Sequence, residues 1–405
     1  MDEAPRARAL DPAPLPTDVR RGTGGRGVVG DRACICPRPA QLTDLYEVTM
    51  ALSYLREGMT APATFSLSAR RLPALRGFLV AAGLERCLDL LSSFRVEDED
   101  VAAYASALGR PVDDLRALHG LRFTGDVWAV PEGRVIGADE PLLEVTAPLP
   151  EAQLVETMLL NATTFATAIA AKAARCVLAA RGRPVVDFAL RRTHGAQAGI
   201  EVARLTAMVG FAGTSNVAAA AAYGLPAVGT MAHSYIEAFG SEQAAFDAFA
   251  SAHPGPVVLL VDTYDTLAGV RTAARTIRDL GLPRTCGVRL DSGDLAVLAR
   301  RAREILDAAG LPATRIVVSG GLDELAVDDS SGSVLRSTSS PSAPRSACPP
   351  TPLAGHGVQA RRARRPGDDE VVRGQGDLAR REAGAPEARC TGRAVPARRG
   401  PRRCP

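Results

Sequence analysis

The chain contains no run of 18 or more apolar residues, so the sequence offers no membrane span. Its N-terminus also lacks the apolar stretch of a secretory signal, which makes a reducing cytoplasm the expected compartment. Lysine is almost missing: Lys172 is the only one among 48 basic residues. Net charge is nearly missing too. Against 45 acidic residues the formal charge is +3, which excludes a dedicated nucleic-acid binder as the first reading. Eight cysteines are scattered without a zinc spacing. Cys34-Ile-Cys36 has no second pair, and Cys87, Cys176 and Cys286 sit singly in apolar segments, where cysteine is a small buried hydrophobe.

The 405 residues suffice for two domains with real cores. Residues 1–40 are rich in Pro, Arg and Gly with no helix or strand period, and read as a disordered leader. Order is expected from Leu42. Asp44 with Glu47 fits a helix start of the capping-box kind, followed by Leu45, Val48, Leu52 and Leu55 on one face. Tyr46 lies in the first turn, off that stripe, as a pocket-closing phenol or a rim aromatic. Residues 63–69 alternate like a half-buried strand. Helical stretches near 84–94 and 101–108 and strands at 123–130 and 141–146 complete an α+β module over 41–150, its strands antiparallel. Glu151 to about Ala180 reads as one long helix. From Pro184 short apolar runs alternate with Ala-rich helices: 185–190, 211–215, 227–231, 257–261, 287–290 and 316–318. That is the pattern of βα units in a parallel sheet or barrel, and it defines a second domain over 151–329.

Each of these runs gives way to polar residues. Arg191, Arg192 and His194 come after the first; Thr214, Ser215 and Asn216 at the second; Thr230 and His233 at the third. Asp262 and Asp265 come after the fourth, Arg289, Asp291 and Asp294 at the fifth, and Ser319-Gly320-Gly321 after the sixth. Parallel strands bring all of these to one rim, where α/β folds collect their chemistry. The arginines supply forks for carboxylate or phosphate. The aspartates supply acceptors for sugar hydroxyls, Mg²⁺ or a developing cation. Ser319-Gly320-Gly321 before a helix offers backbone N–H groups to a phosphate, or is a plain turn. His233 is suited to proton transfer or nucleophilic attack, or caps a loop. Each motif alone also reads as a cap; six in succession read as an active-site rim.

Taken together, Thr43-Asp-Leu-Tyr46, Glu151-Ala-Gln-Leu-Val-Glu156, Ala168-Ile-Ala-Ala-Lys-Ala-Ala-Arg175, Phe188-Ala-Leu-Arg-Arg192, Gly229-Thr-Met-Ala-His233, Arg289-Leu-Asp-Ser-Gly-Asp294 and Ser319-Gly-Gly-Leu-Asp-Glu324 resemble the nicotinate phosphoribosyltransferases. The resemblance covers about residues 42–329. It implies an irregular parallel β/α barrel of the type II phosphoribosyltransferase kind behind an N-terminal α+β domain. It also implies nicotinate and phosphoribosyl pyrophosphate as substrates, coupled ATP hydrolysis, Mg²⁺ and NAD salvage. By resemblance His233 is the transiently phosphorylated histidine, and Tyr46 stacks on the pyridine ring. Thr230 and Arg289 match nicotinate contacts, and Asp291 faces the oxocarbenium-like centre. Arg191, Arg192 and Asp294 complete the expected substrate-binding set, with Ser319, Gly320 and Gly321 on phosphate. Homodimers are expected, and neither nucleic acid nor membrane is an expected partner. Quinolinate and nicotinamide enzymes, and a non-catalytic remnant, are the competing readings.

Past Asp329 the resemblance stops. Residues 331–405 have no Phe, Tyr, Trp, Ile, Met or Lys, and such a segment cannot bury a core. A disordered Arg/Pro-rich tail is expected over 330–405. Reading Ser337-Thr-Ser-Ser-Pro-Ser-Ala-Pro344 one nucleotide earlier is compatible with Val-Asp-Val-Phe-Ala-Val-Gly-Thr, the strand and phosphate loop that the resemblance lacks. A frameshift, with little or no activity in the chain as written, is therefore the expectation; resequencing the codons of the tail tests it.

Overall fold

The computed structural model describes residues 37–73, 76–283, 285–330, 336–337 and 358–363. Strand β1 (Pro62–Ala69) buries Ala63, Leu67 and Ala69 on one face, as its alternation requires. It pairs antiparallel with β5 (Pro141–Pro148), and β5 with β3 (Asp126–Ala129). A separate antiparallel pair joins β2 (Leu79–Val80) and β4 (Val135–Ile136). Helices Leu45–Arg56, Leu84–Ser93 and Asp98–Leu108 cover this module. Val48, Leu52, Leu90, Val101, Leu143 and Val145 are core residues of one cluster. The expected α+β module with antiparallel strands is present.

Order starts earlier than the expected boundary. Arg38 pairs with Glu97 at 2.5 Å and with the buried Asp100 at 2.8 Å, and Tyr104 donates to the Ala40 carbonyl. These contacts hold Pro39–Gln41 as a 3₁₀ turn, so the module takes in the end of the expected leader. The rest of that leader lies outside the described residues. The expected capping box of Asp44 and Glu47 does not form. Asp44 occupies the N-cap position without a capping hydrogen bond, and Glu47 is buried, accepting from the Thr157 backbone N–H (3.0 Å) and Oγ1 (2.7 Å).

The expected single helix is two, Leu149–Leu154 and Glu156–Ala179, divided at Val155, which belongs to neither (φ −95°, ψ −3°). The Thr157 N–H belongs to the first turn after that break, where intrahelical partners run out, and Glu47 satisfies it from another element. Glu156–Ala179 is long and apolar enough to cross a membrane by length and composition. It instead packs Met158, Ala170 and Ala173 into the protein's cores and carries Lys172 and Arg175 in ion pairs.

Beyond it the sheet is parallel: β6 (Val258–Leu260), β7 (Gly287–Leu290), β8 (Arg315–Val318) and β9 (Arg336–Ser337), side by side in that order. Leu259, Val288 and Ile316 share a register and are almost wholly buried, as the apolar runs of a parallel sheet require. Helices Thr266–Asp279 and Leu295–Ala308 alternate with these strands. The three earlier runs are shorter than expected. They reduce to single parallel bridges, Asp187 to Thr214 and Thr214 to Ala227, and Leu190–Arg192 turns as a 3₁₀ helix. The expected unstructured tail is corrected at two places. Arg336–Ser337 lies beside β8, and β10 (Val358–Ala363) pairs antiparallel with β1. The remainder of the tail lies outside the described residues.

Candidate active site

Arg289 is where the strand ends meet. All four residues of β7 are buried, and Leu290 turns into the core while Arg289 reaches toward the neighbouring strand ends. Its Nε donates to Ser319 Oγ at 2.7 Å, just past β8. One terminal nitrogen reaches Thr230 Oγ1 (3.2 Å) and the Met231 carbonyl (3.3 Å); the other donates to Asp291 Oδ1 at 2.6 Å. Ser319 Oγ donates to the same Asp291 oxygen. Three chain segments thus hold this guanidinium in a single orientation, its charge paired with Asp291.

Asp291 sits among opposing influences. Burial pushes its carboxyl up, but the Ser319 hydroxyl, the Arg289 guanidinium and nearby His233 outweigh that and hold it below the usual carboxylate range. Its backbone N–H donates to Asp262 Oδ2 (2.9 Å), which also accepts from Ser292 Oγ (2.5 Å). Asp262 Oδ1 is buried with no hydrogen-bond partner among the described residues. His233 opens the short helix His233–Glu237, with Nδ1 3.1 Å from Thr263 Oγ1 and Nε2 3.9 Å from Asp291 Oδ2. Behind this rim, Glu242 is pushed up to about 7 by burial and by the charges of Asp265 and Asp262.

The glycine turn after β8 is dictated by space. Gly320 has φ +94°, and a Cβ there would lie 2.0 Å from the Asp291 carbonyl oxygen. Only glycine lets the turn approach the β7 end so closely.

Thr230, His233, Arg289, Asp291, Ser319 and Gly320 are thus brought together as the sequence predicts. Gly321 follows in the same turn at φ +64°. The remaining predicted residues stand apart from this network. Tyr46 is half-exposed on the N-terminal module, its hydroxyl 3.3 Å from Glu47 Oε1. Burial and the Glu47 charge push that phenol up to about 12. Arg191 and Arg192 are exposed on their 3₁₀ turn, where the Arg192 backbone N–H donates to the Ala189 carbonyl at 2.8 Å and neither side chain makes a hydrogen bond or ion pair to other described residues. Asp294 caps helix Leu295–Ala308, accepting from the Val297 N–H at 3.0 Å. Sequence reasoning missed Thr263 as the histidine's partner and Glu242 as a buried acid. The first has a signal in its place beside Asp262; the second has none short of the fold.

These elements define an α/β protein with a rim of polar and charged side chains at the carboxyl ends of parallel strands. Residues 42–164 match the model of the nicotinate phosphoribosyltransferase N-terminal domain, and 184–325 match that of the nicotinate phosphoribosyltransferase family. A nicotinate phosphoribosyltransferase of Mycobacterium tuberculosis is 51% identical over 287 residues, covering 70% of this chain and 62% of that protein. The Bacillus subtilis nicotinate phosphoribosyltransferase is 41% identical over 285 residues, covering 70% and 58%. The crystal structure of human nicotinic acid phosphoribosyltransferase superposes with TM-score 0.64 at 33% identity, covering 74% of this chain and 72% of that one. The chain belongs to the nicotinate phosphoribosyltransferase family. It spans about 60% of the length of these two bacterial relatives, 62% and 58% respectively.

Proposed function

We propose that the chain transfers a phosphoribosyl group from phosphoribosyl pyrophosphate to nicotinate, forming nicotinate mononucleotide and pyrophosphate for NAD salvage in the cytoplasm. The observation that carries this reading is Arg289, buried yet held at the rim among Thr230, Asp291 and Ser319. Its fork suits the nicotinate carboxylate; neutral nicotinamide would gain much less. Asp291, kept ionised beside it, faces the positive charge that develops at ribose C1 as the bond to pyrophosphate breaks and the pyridine nitrogen adds. Ser319, Gly320 and Gly321 offer N–H groups to the 5′-phosphate. Tyr46 stacks on the pyridine, and Arg191, Arg192, Thr230 and Asp294 contact the substrates.

His233 would take a phosphoryl group from ATP. Thr263 occupies Nδ1, which leaves Nε2 as the nucleophile. The bond to ADP breaks as the N–P bond forms, and water later releases phosphate. Among the described residues no three acidic, His or Cys side chains converge on a metal ion. Mg²⁺ commonly binds through one or two carboxylates together with substrate phosphates. The unpartnered Asp262 Oδ1 and the Asp291 carboxylate fit that role. Bound there, the ion would neutralise charge on the leaving pyrophosphate. The parallel strands would form the arc of a β/α barrel, in a homodimer.

The purified chain is assayed with labelled nicotinate, quinolinate or nicotinamide plus phosphoribosyl pyrophosphate, with and without ATP. Turnover by the chain as written should be low; nicotinate mononucleotide made faster with ATP, and phosphate label on His233 that H233A abolishes, is the result that supports this reading. Turnover of quinolinate instead would reassign the substrate. A folded chain inert toward all three would make it a non-catalytic remnant.

A further inference from the structure

The rim is not held together evenly. β6, β7 and β8 share a ladder, whereas the three earlier runs are joined by single bridges. Asp187 stands where the ladder is missing, and it is wholly buried. Its Oδ1 accepts from the Ala189 N–H at 2.8 Å, and its Oδ2 accepts from Thr214 Oγ1 at 2.7 Å. Thr214 Oγ1 in turn accepts from the Asn216 N–H at 3.0 Å, and Asn216 caps helix Val217–Tyr223 through the Ala219 N–H. The Thr214 backbone pairs onward with Pro226 and Val228, in the segment that leads to Thr230 and so to Arg289.

The turn that carries Arg191 and Arg192 hangs from this carboxyl. The Ala189 carbonyl accepts from the Arg192 N–H (2.8 Å) and from Thr193 Oγ1 (2.8 Å), and the Thr193 N–H reaches the Leu190 carbonyl. Those bonds are internal to the turn; they fix its shape and not its place. The bond from the Ala189 N–H to Asp187 is different. Asp187 is locked to the second run by its own backbone, its N–H on the Gly213 carbonyl (2.9 Å) and its carbonyl on the Ser215 N–H (2.8 Å). A side chain with two acceptor oxygens can thus tie the turn to Thr214 where no ladder does so. Asparagine could make the same two contacts, accepting from the Ala189 N–H and donating to the Thr214 hydroxyl oxygen. Alanine could make neither.

We propose that Asp187 is a positioning residue of the substrate rim, its side chain setting the place of the Arg191–Arg192 turn against Thr214. That the two arginines meet phosphoribosyl pyrophosphate rests on the proposed reaction; that Asp187 places them does not. The full chain, Asp187→Ala and Asp187→Asn are compared by hydrogen exchange, read by mass over residues 188–193, and by calorimetry with phosphoribosyl pyrophosphate. Asp187→Ala should exchange there roughly fivefold faster, the scale of one lost hydrogen bond. It should also bind the ligand about tenfold more weakly, the scale of one misplaced charge-assisted contact. Asp187→Asn should restore both. Ile277→Val, a core change on helix Thr266–Asp279, should move neither. If Asp187→Ala does not fold, Thr214→Val and Thr214→Ser replace the alanine and asparagine variants, since valine lacks the hydroxyl and serine keeps it. Wild-type exchange in the variant that lacks the contact overturns the proposal, as does a loss that the conservative variant fails to rescue. Faster exchange with wild-type affinity would show that Asp187 serves the fold alone, and would refute the positioning role. A wild-type chain that binds no phosphoribosyl pyrophosphate would refute the proposed reaction, and the exchange rates then decide whether Asp187 places the turn.

Discussion

Glu47 shows how one side chain ties the modules together and couples the fold to pH. Its carboxyl accepts from Thr43, Tyr46 and Thr157, yet burial dominates and pushes it up to about 7. An unfolded glutamate titrates near 4.3, so the native state holds this proton more tightly than the unfolded chain does. The resulting stability is fully present below the unfolded value and is lost as pH rises through about 7. Its full size is on the order of 4 kcal/mol, from about 1.4 kcal/mol per pKa unit. Glu242 contributes in the same direction. Asp291 and Glu324, held low, act oppositely and lose their contribution at acid pH. Glu47→Gln should therefore flatten, without abolishing, the fall in urea midpoint between pH 5 and pH 8. Parallel midpoint curves for the two proteins would refute the assignment. Nothing near Glu47 in the chain announces this role, because its partner Thr157 is 110 residues away. Its spacing from Asp44 suggests a local cap instead. Arg289, His233 and Ser319 were legible because each closely follows an apolar run, and a strand end needs no distant partner to be recognised.

At the scale of elements, an aspartate before an apolar helix reads equally as a cap or as a ligand, and Asp294 is the case in point. Its Oδ1 accepts from Val297 in the N-cap geometry, satisfying one of the helix's free N–H groups. Asparagine caps as well as aspartate but carries no charge. Asp294→Ala should cost about 1 kcal/mol in thermal or urea unfolding, whereas Asp294→Asn should cost almost nothing. Turnover then separates the two roles. If D294N keeps wild-type stability but loses activity, Asp294 also contacts substrate; if both persist, it serves the helix alone. Periodicity located β6, β7 and β8 to within a residue or two, because each is a dense apolar run. It overestimated the runs at 185–190, 211–215 and 227–231, which keep only single bridges. Apolar content marks what is buried, and burial does not require a long ladder. The break at Val155 was equally invisible, since no Gly or Pro marks it.

The whole molecule rests on two main cores, one under the antiparallel sheet and one under the parallel sheet. Their junction is crossed by Arg204–Glu132 and the Glu47–Thr157 contact. Composition could say that residues 331–405 supply no core, but not that part of their backbone could finish a sheet built elsewhere. β10 pairs with β1 over six positions, from Thr64 opposite Ala363 to Ala69 opposite Val358. Each hydrogen bond of such a ladder contributes roughly 0.5–1.5 kcal/mol net, while ordering each residue costs about 1–2 kcal/mol. The two nearly cancel, so β10 adds little to the free energy of folding. Its larger effect is to cover the β1 edge, whose N–H and C=O groups would otherwise template pairing with another chain. Deleting residues 331–405 should therefore leave the urea midpoint almost unchanged while shifting the chain to larger species in size-exclusion chromatography as concentration rises. A truncated chain with the native elution profile at every concentration would show that the edge needs no cover. A large drop in midpoint would show instead that the segment contributes to folding stability beyond its ladder.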